Sequence, residues 1–309
     1  MRIVVTGASG LLGPRFVDQM RGAGHEVLRL VRRAPASADE RTWDPAAGRL
    51  DPAIFEGVDA VVHLSGANLG DKRWTGEYKQ VLRDSRIVST GLVSRTLADL
   101  PHPPGVLVCA SAVGYYGDCG ERHVDETAPP GEGFLVDLVV DWERATAPAS
   151  EAGVRVVLMR SGIVLAPDGG ALKKMLPIFK AGLGARLGSG QQWWSWIAVH
   201  DQLAAMRYLV ENDAVRGPVN VVAPHPVRNV EFTRSLARAL HRPAALAAPA
   251  FALRLLFGEL ADAGLLWSQH VVPQALLDAG FSFRHPDLDG ALASLLQQDG
   301  PAPRPAAEG

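Results

Sequence analysis

Cysteine is almost missing from this chain: its 309 residues include only Cys109 and Cys119. That excludes a disulfide framework and any metal site built from four cysteines, and no metal is expected. Excess charge is missing as well, with 31 Lys and Arg against 33 Asp and Glu, and there is no long basic run. Nucleic acid therefore finds no electrostatic footprint. No apolar stretch reaches the length of a membrane span. The N-terminus also lacks the basic region and cleavage site of a signal peptide. The expectation is a cytoplasmic protein, monomer or homodimer, with a small-molecule substrate and no nucleic-acid or membrane partner.

What is present is alternation. "RIVVT" (2–6) is a short β-branched run ending at glycines, "LLGPRFVDQMRGAG" (11–24) has helical periodicity, and "EVLRLV" (26–31) is strand-like again. Such a strand–helix–strand unit of about 30 residues has the size of a mononucleotide-binding half. Strands at 59–66, 105–111 and 154–162, with helices at 76–99 and about 133–152, continue the pattern. The fold class expected is α/β, a Rossmann-type doubly wound parallel sheet. Beyond Gly162 the texture becomes rich in Gly and Trp, and later in Pro-containing turns. The domain reading is therefore a nucleotide-binding domain over 1–163 plus about 197–222. A smaller C-terminal substrate lobe takes about 164–196 and 223–300, and 301–309 forms a disordered Pro/Ala-rich tail.

The loop "TGASGLLG" (6–13) sits where a phosphate cradle belongs, with a strand before it and a helix after it. Gly7 suits the tight turn, Gly10 the close approach of a pyrophosphate, and Gly13 the packing of helix on sheet. Ser9, Leu11 and Leu12 complete the loop, and the helix start near Leu11 offers free N–H groups to an anion. At the end of the second strand stand Arg32 and Arg33, where an acid would mark NAD. A guanidinium pairs with phosphate in a two-pronged fashion, so the expected cofactor is NADP(H), with Arg32 the stronger candidate. "HLSGA" (63–67) ends a strand in small residues, so Leu64, Ser65 and Gly66 can lie against a ligand at the crevice.

"TGASGLLG", "DAVVHLSG", "SAVGYYG" and "WIAVHD" together resemble the extended short-chain dehydrogenase/reductase superfamily. Three longer stretches, "SAVGYYGDCGERHVDE" (111–126), "LGSGQQWWSWIAVHD" (187–201) and "GPVNVVAPHPVRNVEF" (217–232), resemble its atypical epimerase-like branch. Members of that branch are labelled NAD-dependent epimerase/dehydratase-like, sometimes cell-division inhibitor, and carry a C-terminal domain of unknown function. The resemblance implies further cofactor contacts at Val31, Arg32, Leu64, Ser65 and Arg86, and near Ile163. Taken alone, Arg86 on a long helix reads more readily as a solvated residue than as a ligand.

In working members of the superfamily a Tyr four residues before a Lys moves the proton. Counting back from Glu143 places that Tyr at Phe134 or Leu135 and the Lys at Leu138 or Val139, none of which titrates. The resemblance carries over a substrate-orienting serine to Ser111. Tyr115 and Tyr116 follow near the same crevice, with Asp118 and Glu126 soon after, so the catalytic candidates are Ser111, Tyr115 and Tyr116. His63 and His200 are alternative proton donors or structural histidines, and Asp201 is read as a cap for the helix that follows it. Trp193, Trp194 and Trp196 are either packing between lobe and domain or an aromatic wall for a substrate. Lys173 and Lys174 are read as facing water. Two functions stay open: an NADP-dependent epimerase or oxidoreductase with a non-standard proton donor, or an NADP-binding sensor or interaction protein without turnover.

Overall fold

Residues 1–297 are described by a computed structural model; the tail expected at 301–309 lies outside them. Seven strands form its main sheet: β1 (Arg2–Thr6), β2 (Glu26–Val31), β3 (Glu40–Thr42), β4 (Ala60–His63), β5 (Val106–Ala112), β6 (Arg155–Ser161) and β7 (Gly217–Val221). Their spatial order is β7-β6-β5-β4-β1-β2-β3, and every neighbouring pair is parallel. The chain starts in the middle, winds to one edge, then returns and winds to the other. The direction reverses between β1 and β4, where an open α/β sheet forms its crevice.

Alternate residues along each strand serve opposite faces. Ile3, Val5, Val62, Val108 and Met159 pack with Phe16 and Met20 of α1 (Gly13–Gly22) and Met206 and Leu209 of α6 (Val199–Glu211). Val4, Val61, Leu107 and Cys109 pack on the other side with Leu92, Val93 and Leu97 of α2 (Gly76–Ala98) and with Trp142 of α3 (Phe134–Arg144). Burial on both faces explains why these strands read as unbroken apolar runs.

The helix expected over about 133–152 is in fact two, α3 and α4 (Ala147–Glu151), with Pro148 in the first turn of the second. Proline lacks the N–H that a continuous helix would need there, and its ring crowds the carbonyl four residues back. After β6 the chain builds α5 (Gly170–Lys180), α7 (Asn229–Ala239) and short strands: Ile163–Leu165 pairs with Trp196–Ala198, and His270–Val271 pairs with the earlier His123–Val124. The cluster on the α1 face of the sheet runs on into Trp196, Phe232, Leu236, Leu276 and Leu292. The apolar interior is thus continuous across the boundary expected at residue 163.

Candidate functional site

The glycines of the loop have three different reasons to be glycine. Gly7 has φ +67°, and a Cβ on it would lie 2.6 Å from the carbonyl carbon of Leu64, so the β1 turn presses against the end of β4. A Cβ on Gly13 would lie 2.4 Å from the Gly7 oxygen, which ties the start of α1 to the turn. On Gly10 a Cβ would meet only the Gly7 oxygen at 3.4 Å, so the space above it is open. Ser9 and Gly10 are exposed, and Leu11 and Leu12 are half-buried. No side chain caps α1 and no acid occupies its first turn. Its leading N–H groups and positive dipole end therefore remain for an anion. The helix starts at Gly13, two residues later than the sequence suggests.

Beneath the turn, His63 joins the ends of β1 and β4. Leu64 N (3.2 Å) and Ser65 Oγ (3.0 Å) both donate to Thr6 Oγ1. The Thr6 hydroxyl then gives its own proton to His63 Nδ1 at 2.8 Å, which leaves Nε2–H to donate to Ser89 Oγ at 3.3 Å. The ring is fully buried, and burial pushes its pKa down to about 4. This is a neutral structural histidine with both nitrogens engaged, not a proton donor.

Arg86 stands just behind this floor. It is 9% exposed, lies over the Trp142 ring at 5.1 Å, and gives one hydrogen bond, to the Leu82 carbonyl at 3.3 Å. A Cβ on Gly66 would lie 3.2 Å from its guanidinium carbon, so the charge sits directly under the end of β4. Among the described residues no carboxylate pairs with it, and burial lowers its pKa to about 10. A desolvated cation without a counter-charge is costly, and an anion in the crevice relieves that cost.

At the end of β2 the two arginines part company. Arg33 is bound in a fork to Glu40 of β3, 2.7 Å on each arm, and Glu40 also accepts the Ala36 N–H. Arg32 is exposed and forms no hydrogen bond or ion pair among the described residues. Val31 and Ile163 are half-buried at their strand positions.

Ser111, at the end of β5, is 6% exposed and donates to Glu143 Oε1 at 2.6 Å. Glu143 belongs to α3 and receives Arg160 of β6 through Nε and a terminal nitrogen, both at 2.8 Å. Arg160 also donates to the Tyr116 hydroxyl at 3.0 Å, which in turn donates to Asn220 Oδ1 at 2.8 Å. Tyr116 is 1% exposed and burial drives its pKa up to about 12. This corrects its placing as a crevice phenol: its proton and its lone pair are spent inside the core. Tyr115 is half-buried, and its hydroxyl has no partner among the described residues. Its ring packs against the buried cluster that holds Leu82, Leu135, Leu138 and Val139, as do Ala67, Leu69 and Ala112 from the chain after β4 and the end of β5. Glu143 and Arg160 are site residues that the sequence reading missed. The signal was Arg160, a second arginine near the far end of "VRVVLMRSG", a strand whose middle is apolar. Leu135, Leu138 and Val139 are core residues of α3, and Phe134 packs on Trp74 at 5.3 Å.

The aromatic wall needs correcting as well. Trp196 is 0% and Trp194 is 5% exposed, with Nε1 groups donating to the His225 and Leu265 carbonyls. Both are packing residues: Trp194 meets Phe232 of α7 at 5.2 Å, and Trp196 lies within the buried cluster on the α1 face of the sheet. Trp193 alone reaches the surface, stacked on His270 at 4.1 Å and donating to Glu121. His200 is half-buried, with its pKa lowered by burial and by Arg284 and His285, and its buried Nδ1 has no partner among the described residues. Asp201 does not cap its own helix: it is 1% exposed and accepts the backbone N–H groups of Arg284 and His285 at 2.8 and 2.9 Å. Lys173 and Lys174 are exposed, as expected. Among the described residues no group of three metal-ligating side chains occurs, and no helix is long and apolar enough to cross a membrane.

Comparison with known proteins matches residues 3–223 to the NAD dependent epimerase/dehydratase family and residues 248–295 to a domain of unknown function (DUF1731). An epimerase family protein of Mycobacterium bovis is 49% identical over 94% of this chain and 96% of its own length. Among solved structures, the human epimerase family protein SDR39U1 with NADPH superposes with a TM-score of 0.88 at 32% identity, covering 96% of this chain and 99% of that one. A nucleoside-diphosphate sugar epimerase of Corynebacterium glutamicum gives 0.80 at 32% identity, over 96% of this chain and 58% of that one.

Proposed function

Because the chain belongs to the NAD dependent epimerase/dehydratase family, we propose that it binds NADP(H) at the β1–β4 crevice and acts there on a small molecule as an epimerase or oxidoreductase. The observation that carries the cofactor reading is Arg86, a buried guanidinium with no counter-charge among the described residues, close to an open glycine cradle. A dinucleotide supplies the missing anion. In this reading Gly7, Ser9, Gly10, Leu11, Leu12 and Gly13 surround the pyrophosphate, and Leu64, Ser65 and Gly66 line the crevice beside Val31 and Ile163. Arg32 takes the 2′-phosphate, since its neighbour Arg33 is already committed to Glu40. The NADPH bound to SDR39U1 supports the same choice.

When bound, the nicotinamide supplies or accepts the hydride. The chain itself must orient the substrate and move a proton. Ser111 donates its O–H hydrogen bond to Glu143, so its oxygen is left to accept one from a substrate hydroxyl. The Tyr115 hydroxyl has no partner among the described residues, and it is the donor we assign. A second reading, an NADP sensor without turnover, is favoured by the apolar face of α3, where Leu135, Leu138 and Val139 replace any titrating group. The test is calorimetry with NADPH and NADH, followed by NADPH absorbance over a panel of sugar nucleotides and small carbonyl compounds. Tighter NADPH binding with turnover that falls in Tyr115→Phe supports the enzyme. Equal affinities for the two cofactors overturn the cofactor choice, and tight binding without turnover on any compound supports the sensor.

A further inference from the structure

We propose that Arg160 is the positioning residue that makes Tyr115 a proton donor, and that Glu143 holds Arg160 in place for that purpose; the inference rests on the reading of Tyr115 above. Arg160 and Ser111 are register partners on adjacent strands, so their side chains leave the same face of the sheet at the same level. Both reach Glu143, which accepts Ser111 and Arg160 Nε on one oxygen and the second arm of the guanidinium on the other. The side chains of Arg160 and Glu143 are 4% and 10% exposed. A forked pair this well desolvated has little freedom to swing.

The remaining edge of Arg160 binds the Tyr116 hydroxyl, and its flat face lies on the Tyr115 ring, 3.5 Å from guanidinium carbon to ring centroid. The two tyrosines meet edge to face, with centroids 5.3 Å apart. One arginine therefore uses up the hydroxyl of Tyr116 while engaging Tyr115 only through its ring. The Tyr115 hydroxyl is left for a substrate.

In the step this implies, the Tyr115 O–H bond breaks and its proton passes to a substrate carbonyl oxygen. That oxygen would gain the C=O electron pair as a bound reduced nicotinamide supplied hydride to the carbon. Negative charge grows on the phenol oxygen and ring, against a cation fixed on the ring face, and water returns the proton afterwards. The cation is in place before reaction and needs no reorganisation.

The test requires no substrate. The protein is treated with an aryl sulfonyl fluoride, which reacts with phenolate oxygen, and labelling of Tyr115 is followed by peptide mass spectrometry against N-acetyltyrosinamide. Tyr115 is expected to react at least tenfold faster than the reference. Arg160→Lys, which keeps a cation, is expected to stay within about threefold of the wild type. The double variant Arg160→Met with Glu143→Gln removes both charges, so no unpaired ion is left buried, and it is expected to lose the enhancement. Fast labelling that persists in the double variant overturns the role of Arg160 and leaves Tyr115 standing. A wild-type Tyr115 no faster than the reference overturns both.

Discussion

Substituting the three loop glycines one at a time separates folding from binding. Valine at Gly10 places its Cβ 3.4 Å from the Gly7 oxygen, an ordinary contact, with open space beyond. Stability should then change by no more than about 0.5 kcal/mol, as for most exposed sites. The branched side chain would nevertheless fill the volume through which a pyrophosphate approaches α1. Displacing the anion from two backbone N–H groups removes about 3–6 kcal/mol, a hundred-fold or more in Kd. Alanine at Gly13 behaves differently, because its Cβ would lie 2.4 Å from the Gly7 oxygen and 2.6 Å from the Ala8 Cα, both backbone atoms. The turn must move, at a cost of about 1–3 kcal/mol. Alanine at Gly7 adds the strain of φ +67° to a 2.6 Å approach to Leu64. Urea melts paired with NADPH titrations read both quantities on each variant. A folded Gly10→Val protein that binds NADPH normally refutes the cradle. Loss of folding in Gly10→Val with a neutral Gly13→Ala refutes the geometric argument itself.

Arg32→Ala should erase the preference for NADPH over NADH, a loss of about 1.5–3 kcal/mol or ten- to a hundred-fold by calorimetry, whereas Arg33→Ala should keep it. Unfolded His63 takes a proton near 6.5 and folded His63 only at about 4, so the unfolded chain binds more protons between those values. Stability from this site should therefore fall as pH drops from about 7 to about 4, by up to about 3 kcal/mol, and His63→Gln should flatten that part of the urea-midpoint profile. Glu143→Ala strands the Arg160 charge in a site where it is 4% exposed, and should cost about 3–5 kcal/mol in denaturant melts. Pairing it with Arg160→Met should recover much of that loss.

The sheet was legible because its strands are apolar on both faces, so β1, β2, β4, β5 and β6 stand out as runs. Glu40–Thr42 escaped because β3 is a three-residue edge strand with a polar sequence. The cradle was readable because its context is local, within one strand, turn and helix. The catalytic side was not. Whether Tyr115 or Tyr116 faces the crevice depends on Arg160 and Asn220, which lie 44 and 104 residues from Tyr116. The tryptophans misled for a similar reason, since a cluster shows apolar area without showing what covers it. Asp201 reads as a local cap, yet its backbone partners lie 83 and 84 residues away.

The order of the strands also governs how the protein is made. β6 pairs on one side with β5, but its other neighbour, β7, begins only at Gly217, about 55 residues after β6 ends. At roughly 5–20 residues per second, a ribosome takes several seconds to deliver it. Throughout that interval the nascent chain carries "RVVLMRS" as an unsealed sheet margin, with apolar side chains and unmatched backbone groups. Arg155 opens that strand, and its carbonyl partners at Leu209 and Val215 are also still to be made, so until the margin closes its free guanidinium makes sticking to another growing chain costly.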